Sequence, residues 1–410
     1  LLEELNSEEA TYLFKLLESE ITSDTLMELD EDVREKILDG LSPIEIAKEI
    51  VEMDTDDAAD VIAELDEEIQ EEVIGQIEDE ELAADLVALS SYDERSAGGL
   101  MARELVKVKE TWTIAGCVRE MRRQAKKVTR VHSIYVTDKA GKLKGRLSLK
   151  DLLTAPDKAH RSDIYIPKVD YVTVDTDGED VARIMQKYDL EAIPVVDEEG
   201  ILVGRVTIDD IVDFIKEEAE RDYQLAAGIS EDVEADDNIL RLTRARLPWL
   251  VLGLFGGLAA VFIMQDFEEA LEKYAILFFY TPLIAAMAGN VGVQSSAIIV
   301  LGLANDVVKG SLFSRFIKEL GLSLINGLAL GLLVLAFNTV IGKPIEVSLA
   351  IAISLMAVII MAAIIGTFVP ILLDKRGIDP AIATGPFITT SNDIFGILIF
   401  FYLSKFMLHF

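Results

Sequence analysis

The sequence predicts a multidomain chain with an all-α acidic domain, a tandem α/β pair of repeated units and an all-α transmembrane domain of five helices. Three observations carry this. Charge is confined to one part of the chain, a motif recurs at a fixed offset in the middle, and five long apolar stretches follow it. The boundaries fall at residues 1–100 for the helical domain and 101–218 for the repeats (101–160 and 161–218). A linking helix is expected over 219–245 and the membrane domain over 246–410.

The charge asymmetry comes first because it excludes the most. The 410 residues include 72 acidic and 38 basic side chains, a formal charge of −34, yet 51% of the chain is hydrophobic. Residues 1–245 hold 62 acidic against 29 basic residues, whereas residues 246–410 hold 10 against 9. A polyanion is therefore joined to a nearly neutral apolar region. So negative a surface repels phosphate backbones, which argues against nucleic acid as a partner and in favour of cations. Cys117 is the only thiol, so there is neither a disulfide framework nor a cysteine zinc site. His132, His160 and His409 are far apart, and no H-E-x-x-H, nucleophile elbow or phosphate-binding G-x-x-x-x-G-K-[ST] loop is present. Nothing in the chain points to an enzyme.

In residues 1–100 there are 33 acidic and five basic side chains and no strand-like alternation. Leu13, Leu16, Leu17, Ile37, Leu38, Ile46, Ile50, Val61, Ile62 and Leu65 recur at helical spacing, which predicts a small helical domain. Its charge must self-repel. Asp56, Asp57 and Asp60, in M-D-T-D-D-A-A-D, gather within about one turn, with Asp56 and Asp60 on one face.

Residues 131–153 and 190–212 match at an offset of 59, pairing Ile134/Ile193, Val136/Val195, Asp138/Asp197, Gly141/Gly200, Gly145/Gly204, Arg146/Arg205 and Asp151/Asp210. Each unit reads as strand, D-x-x-G turn, strand, then a helix start at Ser148 or Thr207. The tandem resembles a pair of CBS domains, β-α-β-β-α modules that associate in twos and often sense nucleotides or ions. ATP is therefore a candidate ligand of the pair. The second unit offers Asp209, Asp210 and Asp213, with Asp177, Glu179 and Asp189 nearby in sequence. Each acidic group alone suits a solvated face better than a metal site. Two of them on joined domains suit a divalent cation that turns repulsion into a link.

Apolar stretches near 246–264, 274–304, 316–341, 346–373 and 381–408 are each long enough to cross about 30 Å of hydrocarbon. Arg241, Arg244 and Arg246 precede the first, Lys309, Arg315 and Lys318 separate the second from the third, and Lys375 and Arg376 separate the fourth from the fifth. The alternate loops are poor in such residues, so the positive-inside rule makes the acidic half cytoplasmic and puts the carboxyl terminus outside the cell membrane.

Asp393, in T-T-S-N-D-I-F-G, is the deepest carboxylate in these spans. Unpaired, it costs at least a few kcal/mol there. It is either a protonated acid bonded to a neighbour or a cation site on a watery path, with Thr389 on the same face. Gly385-Pro386 is expected to break the last helix and free backbone carbonyls. In the second span, Pro282, Gly289-Asn290-Val291-Gly292 and Gln294-Ser295-Ser296 are expected to interrupt the apolar run, with Asn290 and Gln294 on one face. Gly327 and Gly331 in the third span read as close helix packing.

The order of these parts, with A-G-N-V-G-V-Q, R-G-I-D-P-A and T-T-S-N-D-I-F-G, resembles the MgtE family of magnesium channels over essentially the whole chain. The resemblance implies a homodimer in the lipid bilayer with its pore between subunits, closed by its cytoplasmic region when Mg2+ is plentiful. It implies that Asp393 of each subunit holds a hydrated pore ion and that Asn290 lines the path. It further implies that Asp56 and Asp60 face Asp210 and Asp213, and that Asp177, Glu179 and Asp189 match further metal-sensing positions. The linking segment would plug the pore. Two departures stand out: Arg221 falls where the family can place an acidic residue, and Gly228 interrupts the segment.

Magnesium suits such a pore because it keeps its waters and needs only one or two carboxylates, whereas Ca2+ prefers six to eight oxygens. Two alternatives stay open: a CBS-regulated transporter of another divalent cation, and a non-conducting membrane Mg2+ sensor. A coupled carrier is equally compatible with these residues.

Overall fold

The computed structural model describes residues 2–409 apart from 3, 4, 18, 30, 127, 129, 156–164, 234, 236, 305–307 and 309–311. His160 and Lys309 lie outside the described residues. Two compact units form, Leu1–Glu217 and Glu218–Phe410.

The first unit opens with seven short helices: α1 (Ser7–Phe14), α2 (Ser19–Met27), α3 (Glu31–Leu38), α4 (Pro43–Ile50), α5 (Thr55–Ala63), α6 (Glu67–Ile74) and α7 (Glu80–Leu89). Turn chemistry sets their lengths. At α4, Ser42 and Glu45 cap each other's backbone N–H and Pro43 occupies the first turn, where its missing N–H costs nothing. Alternate helices pack, α1 on α3, α2 on α4, α4 on α6 and α5 on α7. Ile37, Leu38, Ile46, Ile50, Val61 and Ile62 fill the core as their spacing predicts. Leu16 and Leu17 do not. They follow the end of α1 at Phe14, so Phe14 takes the core position and they remain exposed.

The repeats follow as β1 (Val106–Lys109), α8 (Ile114–Gln124), β2 (Ile134–Thr137), β3 (Leu143–Leu147), α9 (Leu149–Thr154), β4 (Tyr165–Pro167), β5 (Val172–Thr173), α10 (Gly178–Tyr188), β6 (Ala192–Val196), β7 (Leu202–Thr207) and α11 (Ile208–Ala227). Two sheets result, in the orders β1-β2-β3-β4 and β5-β6-β7, each with its first pair parallel and the rest antiparallel. The D-x-x-G turns explain the repeat. Asp138 accepts from the N–H of Ala140 and Lys142, Asp197 accepts from Ile201, and Gly141 and Gly200 take φ of +91° and +80°. The two turns pair reciprocally, Leu143 N to Gly200 O and Leu202 N to Gly141 O, both at 3.1 Å.

The second unit contains α12 (Ile239–Asp266), α13 (Glu268–Lys273), α14 (Ile276–Ala304), α15 (Leu312–Val340), α16 (Ile345–Asp374), a 3₁₀ turn (Pro380–Ala383) and α17 (Pro386–Leu408). Among the described residues, five helical segments are long and apolar enough to span a membrane. Helix α16 is the centre, packed by α14, α15 and α17, while α12 lies against α17. Small residues allow these approaches: a Cβ at Gly327 would meet Met356 Cγ at 2.8 Å and one at Gly331 the Ala352 carbonyl at 3.2 Å. Tyr280 near the start of α14 donates to Asn338 near the end of α15, as antiparallel neighbours must.

The expected linking helix over 219–245 is instead divided. Helix α11 stops at Ala227, Gly228 takes φ +80°, and Ile229 N bonds back to Gln224 O at 2.9 Å, a glycine helix terminus. Gln224 then clamps the turn through Asp232 and Val233, and Ser230 bonds through N and Oγ to Ala245 O, both at 3.0 Å. The glycine that departs from the expected pattern therefore builds a hairpin into α12. Helix α14 runs unbroken through Pro282 and the G-N-V-G segment, its polar groups projecting from a continuous helix.

Candidate cation pathway and acidic cluster

In the second unit Asn290 and Asp393 come together. A recess of about 300 Å³ between α14 and α17 is lined by Ala285, Gly289, Asn290, Gln294, Thr389 and Asp393, among others. Helical geometry explains the lining: Asn290 and Gln294 share one face of α14, and Thr389 and Asp393 share one face of α17. Gly289 keeps the floor low. A Cβ there would stand 3.1 Å from the Thr389 methyl and 3.8 Å from Asp393 Oδ1. Asn290 and Gln294 are exposed in the middle of an apolar helix, a position that suits water or another subunit and not lipid.

Behind this lining the helices are keyed tightly. Asn392 is fully buried with neither amide atom hydrogen-bonded, and its amide lies directly over Gly292, where no Cβ would fit. Gly366 of α16 abuts the Gly292 carbonyl from the other side. The break before α17 occurs where Gly385-Pro386 predicts it, but protein donors use the freed carbonyls. Thr389 donates to Gly385 O at 3.2 Å and Ser296 to Ala383 O at 3.3 Å. Sequence reasoning missed Glu319 of α15, which accepts from Ser295 Oγ at 2.9 Å.

The acidic cluster of the first unit forms where α5 meets the start of α11. Asp56 is buried, and desolvation together with the charges of Asp210 and Asp57 raises its pKa well above the usual carboxylate range. Desolvation and repulsion from Asp210, Asp54 and Asp209 push Asp57 up to about 7. Asp60 also rises to about 7, by desolvation and by Asp57 and Glu217, although its side chain still reaches water. Asp210 is raised by burial, while the hydroxyl and N–H of Thr207 hold one of its oxygens. Asp56 and Asp210 are thus close neighbours, Asp60 is repelled by Asp57 and Glu217, and Asp213 lies on an exposed face of α11. Asp57 and Asp209, grouped with their neighbours by sequence but not among the positions the resemblance matched, belong to the same cluster.

Asp177, Glu179 and Asp189 are exposed. Asp177 caps α10 by accepting from Glu179 N at 2.9 Å, and Asp189 ends the same helix at φ 55°. Standing at opposite ends of an 11-residue helix, about 16 Å long, Asp177 and Asp189 cannot share an ion within one subunit. Arg221 pairs with Glu218 at 3.8 Å. Among the described residues no three His, Cys, Asp or Glu side chains converge into a direct metal cage. An ion that keeps its own waters suits both places better than one needing full protein coordination.

Comparison with known proteins agrees part by part. Residues 1–95 match the MgtE intracellular N domain, 97–158 and 162–217 match CBS domains, and 281–403 match MgtE, described as a divalent cation transporter. The magnesium transporter MgtE of Thermus thermophilus is 38% identical over 78% of this chain and 72% of its own length. The chain belongs to the MgtE family. The MgtE of Enterococcus faecalis is 36% identical over 78% of this chain and 71% of its own. A crystal structure of the cytosolic domain of the Mg2+ channel MgtE with ATP shares 38% identity, covering 52% of this chain and 86% of that one, at a TM-score of 0.49.

Proposed function

We propose that the protein is a magnesium channel or transporter of the cell membrane, closed by Mg2+ binding to its acidic cytoplasmic cluster. The observation that carries this reading is the recess on α14 and α17, where Asp393, Asn290, Gln294 and Thr389 present oxygen and amide groups among apolar helices. Two such faces in a homodimer would enclose a path. Paired Asp393 carboxylates repel each other without an ion, and a hydrated dication offsets both charges. The orientation follows the positive-inside rule, with the amino-terminal unit cytoplasmic and the carboxyl terminus outside.

For regulation, Asp56, Asp57, Asp60, Asp209 and Asp210 would take up Mg2+ at the junction of the helical domain and the second repeat. Asp177, Glu179, Asp189 and Asp213 lie exposed and would act across a subunit boundary. Moving a gate from 1:99 to 99:1 takes about 5.5 kcal/mol. About four ions, each favouring closure roughly tenfold or about 1.4 kcal/mol, would supply it. The test is Mg2+ flux into vesicles while Mg2+ is titrated on the side bearing the soluble unit. Wild type should close, and Asp56→Ala with Asp60→Ala should keep conducting at high Mg2+. Equal inhibition of both would refute the regulatory assignment.

ATP is a second ligand under this reading, held by the CBS pair. Arg205 Nε, His132 Nδ1, Tyr135 Oη and Thr137 Oγ1 are buried without hydrogen-bond partners, and the Arg205 charge acts on both His132 and Tyr135. Polar groups of this kind fit a nucleotide's hydroxyl and phosphate oxygens. Calorimetric titration with ATP, wild type beside Arg205→Met, tests it, and undiminished binding by the variant would remove these residues from the site.

A further inference from the structure

Helix α15 packs on α16, yet it also reaches α14, the helix that carries Asn290 and Gln294. Hydrogen bonds make the reach at two levels. Tyr280 of α14 donates to Asn338, and 15 residues or about 22 Å further along α14 Ser295 Oγ donates to Glu319 at 2.9 Å. Ser295 is buried, and a Cβ on Gly366 of α16 would stand 3.1 Å from its own Cβ, so the serine is confined between α15 and α16. Its neighbour Ser296 is fully buried and donates to Ala383 O, in the 3₁₀ turn before α17, at 3.3 Å.

Glu319 is the single acidic residue of α15 and lies inside a segment apolar enough to span a membrane. A carboxylate is costly there, although a neutral amide could also accept from a serine. What the charge adds is strength. A hydrogen bond to an ionised acceptor is shorter and stronger, and Arg315, four residues earlier on the same face, stands where it can offset the charge.

The bond matters for what lies on the other side of α14. Gln294, next to Ser295, and Asn290, one turn before it, line the recess opposite Thr389 and Asp393. Fixing the back of this stretch therefore aims its front. Turning α14 by about 30° would sweep a side-chain tip about 3 Å at a helix radius of about 5–6 Å, more than a hydrogen bond tolerates.

We propose that Glu319 is a positioning residue of the recess: by holding Ser295 it fixes the rotation of α14, so that Asn290 and Gln294 face Asp393 and Thr389. This rests on the reading of the recess as the ion's path only for its effect on uptake; the orientation of α14 is a property of the fold.

Three substitutions separate a held hydroxyl from a mere charge. Glu319→Gln keeps an oxygen that accepts from Ser295 and removes the charge, Glu319→Ala removes both, and Ser295→Ala removes the donor. Orientation is read in the full chain in lipid nanodiscs, where Cys117→Ser with Gln294→Cys leaves one thiol, in the recess, and its rate of modification by a water-soluble methanethiosulfonate is measured. Loss of the bond in Glu319→Ala should slow modification about fivefold, whereas Glu319→Gln should keep the rate of the parent. In vesicles, without the reporter substitutions, the Mg2+ concentration for half-maximal uptake should rise about three- to tenfold for Glu319→Ala and for Ser295→Ala, and no further when both are combined, because they remove the same bond. Glu319→Gln should stay close to wild type. A Glu319→Gln as impaired as Glu319→Ala, a combined variant clearly worse than either alone, or a thiol whose reactivity ignores Glu319→Ala would each overturn the proposal. If Asp393→Ala takes up Mg2+ like wild type, the path reading falls, and the thiol reactivity alone decides the positioning.

Discussion

Asp57→Asn removes one charge from the acidic cluster without changing side-chain size, and the outcome should change sign with Mg2+. Its carboxyl is pushed from 3.8 to about 7, which at about 1.4 kcal/mol per tenfold is a ceiling near 4 kcal/mol against the ionised folded state. Asp57 is only half-buried, so screening reduces this to about 1–3 kcal/mol. The folded pKa lies above the unfolded one, so between about pH 4 and 7 the folded state holds the extra proton and stability falls as pH rises. The penalty is complete above about pH 7 and fades toward pH 4. In chelator at pH 8, Asp57→Asn should therefore unfold about 2–12 °C above wild type, at about 2–4 °C per kcal/mol for a unit of this size. At pH 4.5 the gain should shrink several-fold. With saturating Mg2+ at pH 8 it should reverse, because the variant offers the ion one carboxylate fewer. Thermal unfolding followed by circular dichroism measures all three. A destabilised variant in chelator at pH 8, or a gain independent of pH, would refute the reasoning.

Other substitutions probe the membrane unit. Gly292→Ala drives a methyl into the Asn392 amide and should cost about 1–3 kcal/mol by overpacking, read as a lower unfolding temperature in detergent together with reduced flux. Gly385→Ala places a Cβ against the Ala226 carbonyl and should displace the end of α11, leaving more residual flux at high Mg2+ than wild type. Tyr280→Phe strips the Asn338 side chain of its hydrogen bond inside the bundle and should destabilise by about 1–3 kcal/mol, with a partial return in the double variant Tyr280→Phe, Asn338→Leu.

The legible parts of this chain are those written in local chemistry. Asp138/Gly141 and Asp197/Gly200 announce their turns because a side-chain acceptor and a positive φ are needed at fixed positions. Asn290 and Asp393 were legible as polar residues that lipid would not tolerate, and the recess brings them together. What stayed hidden depends on contacts far apart in sequence. Glu104 reads as one acid among many until Thr55 is placed beside it, and helical spacing does not reveal that Glu217 stands close enough to repel Asp60. Leu16 and Leu17 misled because periodicity does not mark where α1 stops. Gly228 was visible as an interruption, but the hairpin it begins depends on Gln224, Ser230 and Ala245 closing around it.

The most direct test of the account is Mg2+ uptake by vesicles containing Asp393→Ala, measured beside wild type at equal reconstitution with little Mg2+ on the side of the soluble unit. Uptake should fall at least tenfold while the protein stays folded and its soluble unit still responds to Mg2+. Uptake at the wild-type rate would contradict the assignment of the recess as the ion's path.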